Sequence, residues 1–290
     1  MFGVPLPVLF GQLLLGLING SFYALLSLGL AVIFGMLNVI NFTHGAQYMM
    51  GAFAAWLMLT WLHIPFWGAL VLAPIVVGLF GIVIERLMLK RIYHLDHLYG
   101  FLLTFGLAQI IEGLFQWNWG SSGAPYQSPI PGGYNLGFMF LPAYRGFVVV
   151  AALVICLTTW YAIERTRLGA YLRAATENPT LVRAFGINVP LMITLTYGLG
   201  VGLAALAGVL SAPINQVGPL MGADLIIVVF AVVVIGGMGS IMGSVITGFS
   251  LGVIEGLTKY FYPEASNTVV FVLMVLVLLV RPTGLTGRAN

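Results

Sequence analysis

The chain has 290 residues, 60% of them hydrophobic and only 7% charged. Water-soluble domains carry about 25% charged residues, so this composition excludes a soluble enzyme or a soluble binding domain. The net charge of +3 comes from eleven basic and eight acidic residues; they fall between apolar runs and form no stripe of the kind that binds nucleic acid.

The first charged side chain is Glu85. A bilayer crossing takes ~20 apolar residues, so the uncharged opening alone holds about three crossings. The fold expected is all-α: a polytopic integral membrane bundle of about eight or nine transmembrane helices, some of them broken. The short alternating segments of a membrane β-barrel are absent. Spans are predicted over residues 9–36, 44–62, 65–88, 99–117, 144–163, 191–212, 225–240, 244–262 and 268–281. The chain reads as a single transmembrane domain over residues 1–290. Its N-terminus lacks a basic leader and a small-residue cleavage site, so no cleaved signal peptide is expected. The one cysteine, Cys156, lies in an apolar run and reads as a small filler.

Two places in this order look like interrupted helices. The first is Gly35-Met-Leu-Asn-Val-Ile-Asn-Phe-Thr-His-Gly45, which sets Asn38, Asn41, Thr43 and His44 between apolar runs. The second is Gly236-Gly-Met-Gly-Ser-Ile-Met-Gly243. Unwound backbone at membrane depth survives only where it is buried in protein or lines a cavity, and transporters use such breaks to place binding groups. Asn19, Asn38, Asn41, Thr43, His44, Gly237 and Gly239 are therefore the candidate lining of a substrate pathway. A rival reading has Asn41 merely capping the helix that starts near Thr43. One break in each half of the chain hints at an internal repeat.

Other polar positions read as structural. Glu255 and Lys259 are spaced i, i+4 and can pair on one helix face. Glu112 lies near the external end of its span. Asp224 is expected to cap the following span. Gly248, Gly252 and Gly256 recur every four residues, and the span over 191–212 is crowded with Gly and Ala; such rows let helices approach closely. Gly248-Phe-Ser-Leu-Gly252 matches a nucleophile pattern that needs a strand-turn-helix setting, and an apolar helix does not provide one. His94 and His97 flank Asp96, but one loop supplies the whole set, so no metal site is assigned.

The polar segment Glu164–Pro190 stands apart. Six of the few charged residues lie in it: Glu164, Arg165, Arg167, Arg173, Glu177 and Arg183. Leu168, Leu172, Ala175, Leu181, Val182 and Phe185 recur at helical spacing, which predicts two short amphipathic helices broken near Asn178-Pro179 and stopped near Gly186. Such a hairpin on a membrane protein suits docking to another protein. Nine of the eleven basic residues follow the third, fifth and last spans, and the positive-inside rule assigns that side to the cytoplasm. The loop over 117–145, rich in Trp, Tyr, Gly and Pro, then lies outside. No lysine stands in a nucleotide-binding P-loop, and no paired catalytic groups support an enzyme.

The runs Gly16-Leu-Ile-Asn-Gly-Ser-Phe-Tyr-Ala-Leu25, Gly29–Gly35, Asn38–Gly45 and Tyr48–Ala52 carry a resemblance, as do Leu168–Pro179, Ala184–Asn188, Gly236–Gly243 and Arg281-Pro-Thr-Gly284. Together they resemble the branched-chain amino acid ABC-transporter permeases of the LivH-like subfamily, over essentially the whole chain. The resemblance implies a permease subunit of the type II ABC importer kind in the bacterial inner membrane. It implies as partners a second, LivM-like permease, two cytoplasmic ATPases that carry ATP and Mg, and a periplasmic solute-binding protein. This chain would bind no cofactor itself. Residues 164–190 would then be the ATPase-docking element, with Arg167, Arg173, Glu177, Asn178, Arg183 and Gly186 as its candidate contacts. The subfamily also includes permeases for urea, short amides and aromatic acids, so the resemblance does not fix the solute. An ATPase-independent channel is the alternative of another class, and in it the polar segment would be an idle loop.

Overall fold

The computed structural model describes residues 6–37 and 39–287. Eleven α-helices are found among them: α1 Leu6–Leu37, α2 Thr43–Leu62, α3 Phe66–Leu87, α4 His97–Trp119, α5 Ala143–Arg165, α6 Arg167–Glu177, α7 Pro179–Ala184, α8 Val189–Ser211, α9 Ala223–Gly236, α10 Ile241–Phe261 and α11 Val269–Val280. Two short strands, β1 Gly133–Asn135 and β2 Phe140–Pro142, pair antiparallel in the α4–α5 loop with Tyr134 opposite Leu141. Six helices are long and apolar enough to cross a membrane. The predicted spans match the helices closely, and the chain is a multi-pass membrane protein.

Small residues decide which helices touch. The α1 and α10 backbones meet along the row read from the sequence. A Cβ on Gly252 would lie 2.4 Å from both the Gly16 carbonyl oxygen and Gly20 Cα, and one on Gly256 would lie 2.4 Å from the Gln12 oxygen. No larger residue fits that approach, and in lipid close packing replaces the missing hydrophobic drive. Gly35, at the other end of α1, rests on Gly239, so α1 and α10 run antiparallel. α8 lies behind them, with Gly208 against the Tyr48 carbonyl and Gly200 against α1. Its rows of Gly and Ala are almost wholly buried.

These contacts sort the helix ends into two groups. One end carries the C-termini of α3 and α5, the α6–α7 hairpin, the α9–α10 junction and residues 281–287. Arg86, Lys90, Arg91, Arg165, Arg167, Arg173, Arg183 and Arg281 all lie there. The opposite end holds Arg145 and Lys259. It is tied together where Ala124 bridges Val217 and where the Tyr144 hydroxyl donates to the Leu210 carbonyl at 2.9 Å. The positive-inside rule predicts that the basic end faces the cytoplasm. Arg288 lies outside the described residues.

Three expectations change. α9 has 14 residues and α11 has 12, about 21 and 18 Å at 1.5 Å per residue, short of a ~30 Å core. A non-helical stretch over residues 212–222 precedes α9. Asp224 is not a cap: Gly222 holds that position, and Asp224 sits within the first turn, where a negative charge favours the positive helix end. Asn41 does not cap α2 either; the cap residue is Phe42, without a side-chain bond.

Candidate functional site

The first break is a polar knot inside the bundle. Asn41, Thr43, His44 and Gln47 are at most 1% exposed. The chain over 39–42 rises alongside the start of α4, held by one side chain. Thr104 Oγ1 receives the Phe42 N–H at 3.2 Å and stands 2.9 Å from the Gly100 carbonyl and 3.1 Å from that of Ile40. Thr43 returns the contact, donating to the Thr104 carbonyl at 3.2 Å. Phe42 closes the knot edge-on against Phe101, centroids 4.9 Å apart.

Within the knot the hydrogen bonds run along one line. Asn41 Nδ2 donates to Gln47 Oε1 at 3.1 Å, and Gln47 Nε2 donates to the Tyr197 hydroxyl at 3.4 Å. One turn back on the same face of α8, Thr194 donates to Glu85 at 2.8 Å, and Tyr93 donates to the same carboxylate at 2.9 Å. Burial, with the Glu85 carboxylate second, keeps the Tyr93 hydroxyl protonated far above its usual range. His44 Nε2 lies 3.0 Å from the Leu26 carbonyl. A carbonyl only accepts, so Nε2 carries the proton and Nδ1 is left as an acceptor. That Nδ1 and Asn41 Oδ1 are both buried without a partner. Such an atom costs about 1–3 kcal/mol, and two of them on residues 41 and 44 mark a place shaped to meet something polar.

The knot touches the second non-helical stretch. A Cβ on Gly45 would lie 2.6 Å from the Gly222 oxygen, and one on Gly222 would lie 1.9 Å from that of Gly45. The start of α2 and the start of α9 therefore meet backbone to backbone. The break thus touches two stretches: its α2 edge meets 212–222 at Gly222, and its α1 edge meets the glycine run at Gly239.

That glycine run is architectural in this structure. Gly237 and Gly239 hold φ of +103° and +84°, values that only glycine takes easily. The chain's C-terminal segment seals them: Leu285 N–H donates to the Ile235 carbonyl at 2.8 Å, and the Thr286 hydroxyl lies 2.6 Å from the Gly236 carbonyl and 2.7 Å from Ser240 Oγ. Gly237 is buried beneath Gly287 and Thr283. Asn19 stands elsewhere again, at the outer end, on a cavity it shares with Arg145 and Lys259. Asn38 lies outside the described residues.

At the basic end the hairpin forms as its periodicity predicts. Gly169 presses α6 against the end of α5; a Cβ there would sit 1.5 Å from the Ile163 carbonyl. Arg173 fastens the same joint, donating to the Ile163 carbonyl at 2.9 Å and pairing with Glu164 at 3.5 Å. Asn178 Oδ1 caps α7 through the Leu181 N–H at 2.9 Å, with Pro179 at the first helical position. Gly186 follows in the left-handed region, φ +81°. Of the charged residues read as docking contacts, Arg167, Glu177 and Arg183 are exposed and Arg173 is engaged. Between them stand Leu168, Leu181 and Phe185, with Phe185 76% exposed. Ala175, Val182 and Val189 pack beneath as a small core.

Reasoning from sequence missed Gln47, Thr104, Thr194, Tyr197 and Glu85 as members of the knot and its line. Two of them carried a signal: Thr104 as a polar residue inside an apolar span, and Glu85 as the first charge in the chain. Asp96, between the two histidines, accepts the Leu98 N–H at 2.9 Å and caps α4.

A sequence model of the family described as "Branched-chain amino acid transport system / permease component" matches residues 12–278. The chain is 30% identical to the high-affinity branched-chain amino acid transport system permease protein LivH of Escherichia coli, over 96% of this chain and 95% of that one. It is 30% identical to BraD of Pseudomonas aeruginosa with the same coverage, and 28% identical to a probable LivH of Methanocaldococcus jannaschii over 93% of this chain and 90% of that one. The family model over residues 12–278, together with relatives 30% identical along nearly the whole chain, places this protein in the branched-chain amino acid transport system permease family.

Proposed function

We propose that the chain is the membrane-spanning permease of an ATP-driven importer in the bacterial inner membrane, and that it carries a branched-chain or other small amino acid inward. Two cytoplasmic ATPases, a second related permease and a periplasmic solute-binding protein complete the complex. ATP and Mg act on the ATPases. The observation that carries this reading is the α6–α7 hairpin: a joined, capped, rigid element that presents Leu168, Leu181 and Phe185 with Arg167 and Arg183 to the cytoplasm. Exposed apolar side chains on the polar end of a membrane protein cost solubility unless a partner covers them.

Force reaches the pathway through short links. Closure of the ATPases on ATP pulls on α6–α7; Gly169 and Arg173 couple α6 to α5, and Val189 couples α7 to α8. α8 bears on the knot through Tyr197, which Gln47 meets, and on Glu85 of α3 through Thr194. A shift of α8 would open the knot and offer Asn41 Oδ1 and His44 Nδ1 to the solute. Co-expression with the two cognate ATPases tests the reading: both should co-purify with the chain, and uptake should need ATP. An autonomous channel would purify alone and conduct without nucleotide.

A further inference from the structure

At the outer end, a cavity of about 190 Å³ opens between α1, the start of α5, the chain after α8 and the last turns of α10. Its polar wall is Gln12, Asn19, Arg145, Asn215 and Lys259. No acid is among the residues that line it, and Glu255, one turn before Lys259, takes the Lys259 ammonium on Oε1 at 2.5 Å and the Tyr23 hydroxyl on Oε2 at 2.6 Å. Asn215 donates to Ser211 Oγ at 2.8 Å. Arg145 has no ion pair among the described residues. The cavity therefore carries one unbalanced positive charge, on a guanidinium with five donors, and two further donors on Lys259.

We propose that this cavity receives the carboxylate of the transported solute as it enters from the outside, with Arg145 as its anchor. The inference rests on the import reading above and narrows it. A guanidinium meets a carboxylate with two parallel hydrogen bonds. The amide oxygens of Gln12 and Asn19 are the acceptors available to an α-ammonium beside it. The volume is below the ~300–1,000 Å³ of pockets that enclose a whole drug-sized ligand, which suits a way-station for a small polar head group. The site favours amino acids over the uncharged urea and short amides that the wider subfamily carries. Sequence placed Asn19 on the pathway, Lys259 in a structural pair and Arg145 in an external loop; only the fold brings them to one wall.

The test uses the full chain purified with its partners, with L-leucine and L-leucinamide as probes in saturation-transfer NMR. L-leucine should give a saturable signal that is about tenfold weaker for L-leucinamide, the loss expected for a charge-assisted contact. Arg145→Gln should abolish the preference, and Arg145→Lys should restore part of it. If Arg145→Gln does not assemble, Gln12→Glu serves: a carboxylate on the wall competes for Arg145 and attracts the ammonium of both probes, so the preference for L-leucine over L-leucinamide should shrink or reverse. Equal binding of acid and amide by the wild type overturns the proposal. So does L-leucine binding that survives Arg145→Gln while docking of the solute-binding protein is lost, because the carboxylate would then belong to that protein. Loss of a bound anionic lipid alone, seen by native mass spectrometry, overturns it as well. Co-purification of the ATPases is scored on the same samples. If they are present and the acid preference is absent, the cavity assignment fails and the importer stands; if they are absent, the importer reading itself fails.

Discussion

Thr104 does more for the first break than any residue assigned to it from sequence. Its hydroxyl lies against the backbone on both sides, and Phe42 N–H has it as partner. Thr104→Val keeps the shape and removes the hydroxyl, leaving a buried N–H unpaired. Loss of about 1–3 kcal/mol is expected, read as a lower melting temperature of the purified complex with unchanged helix content. Asn41 and His44 differ, because each holds one buried polar atom without a partner. Asn41→Ala and His44→Ala should reduce transport per folded complex beyond any loss of stability. Wild-type transport per folded complex in both variants would make the knot purely architectural. None of this was legible at the residue scale beforehand. The sequence marks Asn41, Thr43 and His44 as polar among apolar neighbours, but their partners are Gln47 on α2, Thr104 on α4 and Leu26 on α1, up to 61 residues away, and hydrophobic periodicity carries no register for such pairings.

The α6–α7 hairpin was readable as an element because its signals are local. Spacing of the apolar residues, Asn178-Pro179 and Gly186 each act within a turn or two. Which of its charges are free was not readable, because Arg173 reaches back ten residues to Ile163. Charge reversal at Arg173 would therefore loosen the hairpin from α5, whereas Arg183→Glu alters only its exposed surface. Asn178→Ala should cost about 1 kcal/mol through the lost cap and weaken ATPase retention in proportion. Gly169→Ala should act more severely, since its methyl group meets the Ile163 carbonyl. We expect ATPase co-purification to be lost in Gly169→Ala while the membrane helices still form by circular dichroism. The same distinction explains why α9 was overextended in the reading from sequence: its apolar run continues into Gly236-Gly-Met-Gly, and the stop comes from the C-terminal segment bonding to Ile235 and Gly236.

At the scale of the molecule, composition alone established a membrane bundle, and the Gly248-Gly252-Gly256 row correctly pointed to close packing. It did not name α1 as the partner, nor pair the first break with residues 212–222. Those are long-range facts set by how small residues on different helices fit. Orientation rests on eight described basic residues gathered at one end. With Cys156→Ala as background, an impermeant thiol reagent on whole cells should label Ser122→Cys and leave Thr176→Cys unlabelled. Coupling of the two ends is the central claim, and it depends on the hairpin meeting an ATPase. Phe185→Cys in the same background, treated with a short bifunctional thiol reagent in the assembled complex, tests it most directly. The account predicts a covalent adduct of this chain with an ATPase subunit whose yield changes when ATP is added. No adduct from Phe185→Cys, in a preparation where both ATPases are present and uptake is active, would contradict it.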